Sequence, residues 1–413
     1  MRDILVTLIV FGSLPLILKN SVTGVLMWVW ISVMNPHTQG WGFATTFPFA
    51  FVIAVTTMLS LVATHGSKTL PMCGFTWLLL TFILWMSVTT LFALFPDAAS
   101  AQWSKVMKIM AMTLVTLMVI REHRDIHRMT WVLAISVGFY GVKGGIFTLR
   151  SGGADRVWGP EGTFIGGNNE IALALIMTIP LMLYLRRASK QRWVRHGMVA
   201  AMLLSGLAAL GSYSRGALLA ICAMLGFLWV KSRNKLLAGT LLAITAPLFL
   251  LFMPDQWSNR MDTIGDYQED ESAMGRINAW HMAWNLARDR FFGGGYEIAE
   301  PYTFMMYAPN PADVHAAHSV YFQVLGEHGF IGLILYLLLG LSTWRSAAWI
   351  VRRCRKKPEF AWAGDLAAMI QCSMIGFAVG GAFLSLAYYD VPYYLMAVIV
   401  ALRLHVSGKV EDT

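Results

Sequence analysis

The sequence is poor in charged residues. Asp, Glu, Lys and Arg together make up 13% of its 413 residues, whereas a soluble domain carries about 25%. Hydrophobic residues make up 57% and gather in runs that are long enough to cross a lipid bilayer. This composition excludes an ordinary soluble domain and predicts an all-α polytopic membrane protein.

Cysteine is scarce as well. The four cysteines form no Cys-x-x-Cys pair, and none of them lies in the long polar stretch 254–318. A disulfide framework or a zinc site is therefore not expected. A small-residue cleavage site is also missing after the first apolar run, so we expect this run to remain in the protein as a membrane segment.

The apolar runs predict about twelve transmembrane helices, because about 20 apolar residues in a helix cross a bilayer core. The first two runs and the last are short, and residues 1–34 are expected to form a tight hairpin or a broken helix. The candidate segments are 4–18, 22–34, 44–64, 71–94, 100–120, 131–149, 168–186, 197–211, 216–231, 236–253, 319–345, 362–386 and 390–404.

Three regions follow from this pattern. Residues 1–253 hold transmembrane helices 1 to about 10, and residues 254–318 form one large loop outside the bilayer. Residues 319–413 hold the C-terminal transmembrane helices and a short cytoplasmic tail. Within the loop, the spacing of apolar residues from Ala273 to Arg288 predicts an amphipathic helix, and we expect the loop to hold short helices of its own.

Lysine and arginine predict the orientation. The net charge of +9 arises mainly from short basic clusters between the apolar runs, which are typical of cytoplasmic loops and not of a nucleic-acid-binding face. These clusters are 121–128, 186–195, 231–235 and 352–357. Alternation then places on the opposite side, which in a bacterium is the periplasm, the loops 150–167, 211–215, 254–318 and 387–392.

Arginines on the outer side are exceptions to the rule that lysine and arginine concentrate in cytoplasmic loops. Arg215 lies between two apolar segments with no acidic residue near it in the sequence. It either binds an anionic ligand such as a phosphate or reaches the lipid headgroups. The same alternatives hold for Arg276. Arg156 has nearby carboxylates to pair with, and Arg288 adjoins an interfacial Phe-Phe pair at 291–292.

His318 opens an apolar segment on the outer side. A neutral imidazole there is suited to act as a general base, although a histidine at a helix start also serves as a cap. His315 and His318 do not predict a metal site, because no carboxylate or thiol completes a ligand set. Glu327 is interpreted as a structural partner inside the bundle, and Asn168 as a helix cap.

Three motifs together resemble the O-antigen ligase and polymerase superfamily, over roughly residues 150–345. The motifs are, in chain order, Ser212-Tyr213-Ser214-Arg215-Gly216, then Gly275-Arg276 with Trp280 and a glycine-rich stretch, and finally His318 with Glu327, Gly329 and Gly332. The amino-terminal stretch from Trp28 to His37 resembles one subgroup, the exosortase-associated glycosylation ligases.

The resemblance implies a bacterial inner-membrane glycosyltransferase of the GT-C architecture with an undecaprenyl-pyrophosphate-linked glycan as donor. In the ligases, the acceptor is a sugar hydroxyl of lipid A-core in the periplasm. Carried over by motif, Arg215 and Arg276 bind the pyrophosphate, and His318 activates the acceptor hydroxyl. Ser319 follows the histidine where the family often has Asn. Further candidates for substrate binding are Arg156, Arg288, Tyr213 and His315.

Pyrophosphate is already a good leaving group, so we expect no protein nucleophile, no metal and no cofactor, and direct attack predicts inversion at the anomeric carbon. Asp262 and Asp266 are interpreted as solvated loop charges. An O-antigen polymerase, or a protein O-glycosylation ligase with the same donor, fits the same motifs. A transporter of the lipid-linked glycan fits less well, because the apolar segments carry few charges apart from Lys105, Lys108 and Lys143.

Overall fold

A computed structural model describes residues 1–63, 69–232, 234–262 and 271–411 of the chain. Helices account for 79% of the structure, and the described residues form no β-strand. The prediction of an all-α protein is therefore confirmed. Asp266, which was interpreted as a solvated loop charge, lies outside the described residues.

The helices follow the apolar runs of the sequence. Each predicted membrane segment corresponds to a helix, and the stretch 254–318 contains three further helices, α11 to α13. The sixteen helices of the described residues are α1 (Arg2–Lys19), α2 (Ser21–Met34), α3 (Phe49–Ala63), α4 (Gly74–Leu91), α5 (Pro96–Val119), α6 (His123–Arg150), α7 (Asn168–Ala188), α8 (Arg192–Leu210), α9 (Arg215–Lys231), α10 (Lys235–Phe252), α11 (Asp255–Asp262), α12 (Glu271–Asp289), α13 (Pro301–Tyr307), α14 (Val320–Cys354), α15 (Ala361–Gly380) and α16 (Asp390–Glu411).

The protein is a multi-pass helical membrane protein. Among the described residues, eight helices are long and apolar enough to cross a membrane: α4, α6, α7, α8, α10, α14, α15 and α16. The helices α2 and α3 are apolar but shorter. Because α1, α5 and α9 do not meet the same criterion, the number of about twelve transmembrane helices stays a prediction.

Helix α7 forms the centre of the bundle. Its residues from Ile171 to Met182 are all buried, because α6, α8, α9 and α15 pack around it. A helix that is apolar on every side is stable only where other helices cover all of its faces. The uniform hydrophobicity of this segment thus explains its central position.

The basic clusters gather at one end of the bundle, which we call the basic end. Arg187 at the end of α7 forms an ion pair of 2.7 Å with Asp365 in the first turns of α15. Members of all four clusters lie around the start of α15, namely His123, Arg187, Lys231 and Lys357. The opposite end, which we call the loop end, carries the starts of α7, α9 and α14 together with α12. This two-ended arrangement is the one that alternation of the segments requires.

Helix α14 is interrupted near the loop end. Gly329 has φ 67° and ψ −172°, a conformation that is open almost exclusively to glycine. The interruption frees the carbonyls of Gly326 and Glu327, which accept hydrogen bonds of 2.9 Å from the N–H groups of Gly294 and Gly295. Buried backbone groups require such partners. The glycine-rich stretch 293–295 supplies them and packs against the interruption of α14.

The break predicts a large effect for Gly329→Ala. A Cβ at this position would lie 2.6 Å from the carbonyl oxygen of Phe291, and the conformation itself costs an alanine about 1–3 kcal/mol. We expect a lower midpoint of thermal unfolding in detergent, measured by tryptophan fluorescence. Gly340→Ala is the matched control on the same helix, because no atom lies within 4 Å of its Cβ position. Equal midpoints for the two variants would contradict the proposed role of the break.

Candidate active site

His318 lies at the loop end, immediately before the N-cap residue of α14. Its φ is +42°, a region that non-glycine residues enter rarely and at a cost of about 1–3 kcal/mol. Its Nδ1 atom is buried and has no hydrogen-bond partner in the described part of the chain. The Ser319 side chain makes no capping bond to α14. A strained residue with an unpaired ring nitrogen indicates a functional role.

Asn278 of α12 anchors the loop that leads to His318. Its side-chain amide donates to the carbonyls of Asn310 and Asp313 at 2.8 and 2.9 Å. The amide oxygen of the same side chain accepts from the backbone N–H of Asn310 at 2.9 Å. A single side chain therefore satisfies three backbone groups of an otherwise irregular segment.

Trp280, half a turn further along α12, holds the residue next to His318. Its indole N–H donates to the carbonyl of Ala317 at 2.7 Å. Its ring stacks on Phe322 of α14 with centroids 5.0 Å apart and an interplanar angle of 7°. These contacts fix the backbone on both sides of the strained histidine.

Arg276 lies near His318. The contacts of Asn278 and Trp280 hold the loop before His318 against α12, the helix that carries Arg276. Burial of the ring, the positive charge of Arg276 and the nearby His315 together lower the pKa of His318 from 6.5 to about 4, and burial contributes most. Burial and a neighbouring cation both disfavour the protonated imidazole. His318 is therefore neutral at pH 7.

His315 lies against the α12 backbone beside Arg276. A Cβ on Gly275 would meet the Cδ2 atom of the His315 ring at 2.5 Å, so the glycine before the arginine leaves space for the imidazole. The Nε2 atom of His315 lies 2.7 Å from a carboxylate oxygen of Asp313. This contact orients the half-exposed ring toward the loop.

Arg215 is the first residue of α9. The hydroxyl of Ser214 caps this helix by accepting from the backbone N–H of Ala217 at 3.1 Å. The preceding turn is bound to α7, because the side-chain amide of Asn168 donates to the carbonyl of Ser212 at 2.7 Å. The interpretation of Asn168 as a helix cap is therefore wrong: Gly167 is the N-cap of α7, and a tertiary hydrogen bond uses the amide instead.

Glu170 connects this turn with α12. It lies in the first turn of α7, two residues after Asn168, and the charge of Arg276 acts on its carboxylate. The start of α7 thus contacts the turn before Arg215 through Asn168 and approaches Arg276 through Glu170. Glu170 was not among the residues predicted from the sequence, although a lone carboxylate in the first turn of an otherwise apolar helix is a usable signal.

A cavity of about 410 Å³ adjoins His318, and we call it the site cavity. The residues that line it include Ala316, Ala317, Gln323 and Glu170. The carboxylate of Glu327 also lines it and accepts a hydrogen bond from the Tyr388 hydroxyl. Among the described residues, no group of three or more His, Cys, Asp or Glu residues is arranged to hold a metal ion.

Comparison with known families divides the chain in two. Residues 1–190 match a family of unknown function (DUF5935), and residues 200–337 match the O-antigen ligase family. The second match contains Arg215, Arg276 and His318. Residues 200–337 belong to the O-antigen ligase superfamily. No match is found among curated proteins.

Membership in the O-antigen ligase superfamily indicates a glycosyltransferase-like ligase that acts on lipid-linked glycans in a membrane. The matched O-antigen ligase region begins in α8 and ends in α14, so it includes the break at Gly329 and the whole of α12. The contacts that position His318 therefore lie within this region.

Of the remaining candidates, Arg156 and Tyr213 contact each other, and Arg288 lies further along α12. The guanidinium of Arg156 lies 5.5 Å from the ring centroid of Tyr213, and the Tyr213 hydroxyl donates to a backbone carbonyl. Arg288 lies in the last turn of α12, about 18 Å along the helix axis from Arg276. The structure therefore groups Arg276, His315 and His318 and leaves Arg288 outside this group, whereas Arg215 follows the turn that Asn168 binds.

The environment of His318 predicts an unusual titration. We expect its 13C-labelled ring to titrate near pH 4 in NMR spectra and Arg276→Gln to raise the pKa, because a neighbouring positive charge is removed. Since the unfolded chain binds this proton near pH 6.5 and the folded chain near pH 4, the contribution to stability declines as the pH falls between these values. Arg150→Gln, an exposed arginine of α6, is the control. Titration near pH 6.5 in the wild type would contradict the described environment.

Proposed function

We propose that the protein is an O-antigen ligase that transfers a glycan from undecaprenyl pyrophosphate to a sugar hydroxyl of lipid A-core, on the periplasmic side of the bacterial inner membrane. The observation that carries this proposal is the neutral, partly buried His318 beside the guanidinium of Arg276. The proposed proton acceptor and the proposed anion-binding group thus lie near each other. Glycosyl transfer from a diphosphate requires this pair.

In the proposed reaction, Arg215 and Arg276 bind the pyrophosphate through charge-assisted hydrogen bonds. The acceptor oxygen attacks the anomeric carbon while His318 takes the hydroxyl proton. The bond between the anomeric carbon and the phosphate oxygen breaks, and undecaprenyl pyrophosphate leaves with the bonding electron pair. The arginines stabilise the charge that develops on the leaving oxygen. A single displacement inverts the anomeric configuration.

Donor binding also prepares the base in this proposal. A bound diphosphate offsets the positive charge of Arg276, which in its absence lowers the pKa of His318. Arrival of the donor therefore raises the pKa of the imidazole and makes it a stronger proton acceptor. By linkage, protonation of His318 and donor binding favour each other.

His318→Ala tests the base assignment. We expect transfer to fall by about 100-fold or more, the usual contribution of a general base, while the lipid-linked donor accumulates in cells. The measurement is the amount of glycan-capped lipopolysaccharide on gels, with purified enzyme assays in parallel. His196→Ala, an exposed histidine near the basic end, is the matched control. Capping at the normal level in the His318 variant would show that the base is a different group.

One reconstituted assay tests the acceptor and the absence of a metal requirement. Purified protein receives the undecaprenyl-pyrophosphate-linked glycan and either lipid A-core, a second lipid-linked unit or an acceptor protein, with and without EDTA. We expect product with lipid A-core and no loss on chelation, because arginines supply the charge stabilisation. Product only with the second unit makes the protein a polymerase, and product only with protein makes it a protein O-glycosylation ligase. Formation of no product with any acceptor would favour a transporter.

A further inference from the structure

A second cavity opens on the flank of the loop end, and we call it the lateral groove. Its volume is about 310 Å³, and its lining includes Gln39, Tyr140, Lys143, Arg156 and Trp158. None of the described residues that line it is acidic. All of them fall within residues 1–190, the part of the chain that matches the family of unknown function.

Lys143 places a positive charge on the surface of α6 that is available to lipid. It is exposed, and its neighbours one turn away, Phe139, Ile146 and Phe147, are 41%, 39% and 43% exposed. The residue lies seven positions before the end of a 28-residue helix, about 10 Å along the axis. A helix of this length is about 42 Å long and exceeds the hydrocarbon thickness of about 30 Å.

The ammonium group of Lys143 therefore lies near the boundary between hydrocarbon and headgroups. A cation at this depth is costly and usually has an anionic partner or lines a polar cavity. Because no residue that lines the lateral groove supplies a carboxylate, an anionic group that arrives from the membrane would complete the charge balance of this polar cavity. Trp158, which is 62% exposed on the groove wall, is the kind of residue that anchors at this interface.

Arg156, the second cation of the lateral groove, belongs to a segment that packs against the turn before Arg215. Arg156 lies over the ring of Tyr213, and the Tyr213 hydroxyl donates to the carbonyl of Gly153 at 2.7 Å. The backbone N–H of Val157 donates to the carbonyl of Gly211 at 2.9 Å. The groove wall is thus bound to the turn that leads directly into α9 and its first residue, Arg215.

We propose that the lateral groove binds the diphosphate of a polyprenyl-diphosphate-linked glycan before it reaches Arg215 and Arg276. This inference rests on the proposed function and adds a role for the half of the chain that matches a family of unknown function. A diphosphate carries at least two negative charges and matches the two cations Lys143 and Arg156, whereas a phosphatidylglycerol headgroup carries one. The polyprenyl tail lies along the exposed apolar face of α6.

Binding of undecaprenyl diphosphate, measured by native mass spectrometry in detergent, tests this proposal without any need for turnover. The Arg215→Gln/Arg276→Gln protein removes the proposed donor site, and we expect it still to bind the lipid through the groove. Adding Lys143→Met should weaken this remaining binding at least 10-fold, and Lys143→Arg should retain it. Arg150→Gln, on the same helix but outside the groove, should leave the affinity unchanged. Lys143→Met in the otherwise wild-type protein is measured as well, with unfolding midpoints to show that each variant folds.

The outcomes separate this proposal from the proposed function. Loss of all binding in the Arg215→Gln/Arg276→Gln protein, with its fold intact, overturns the groove even if the wild type transfers glycan normally. Binding that depends on Lys143 supports the groove even if no acceptor yields a product. Phosphatidylglycerol is the competing ligand. If it displaces undecaprenyl diphosphate at equal concentration, the groove is a phospholipid headgroup site and the diphosphate assignment is wrong.

Discussion

Two backbone hydrogen bonds at the break in α14 connect the chemistry of the loop to the membrane bundle. A helix in a bilayer cannot leave carbonyls unpaired, and Gly329 frees those of Gly326 and Glu327. The N–H groups of Gly294 and Gly295 donate hydrogen bonds to these carbonyls. The chain that follows α12 is therefore held at a fixed position along α14. The position of α12, and with it that of Arg276, depends on this junction.

From this fixed position α12 acts as a frame for the strained histidine. The conformation of His318 is unfavourable on its own, and it persists because the contacts of Asn278 and Trp280 hold the preceding loop. Strained residues at functional sites persist when several surrounding contacts hold them in this way. The helix that carries Arg276 thus also determines where the imidazole lies, which explains why two groups 42 positions apart in the sequence lie near each other.

Much of the fold was predictable, because apolar runs and the helical period are local signals. The amphipathic helix expected from Ala273 to Arg288 is present as Glu271–Asp289. The pairing of Arg276 with His318 came from resemblance and not from spacing, since no local pattern encodes a contact between distant segments. The interpretation of Asn168 failed for the same reason: its amide serves a carbonyl 44 residues away, and propensity at a helix start does not reveal such a partner.

The burial of the cations gives the proposed donor path a direction. Lys143 and Arg156 are exposed, whereas Arg215 and Arg276 are partly buried. An ion pair strengthens as water is removed from around it, so a diphosphate is attracted first by weak, solvated contacts and then by stronger ones nearer the site cavity. Its negative charge also relieves the effect of Arg276 on His318. In the proposed mechanism His318 therefore gains proton affinity when the donor is in place, which would couple capture of the lipid in one half of the chain to activation of the acceptor in the other.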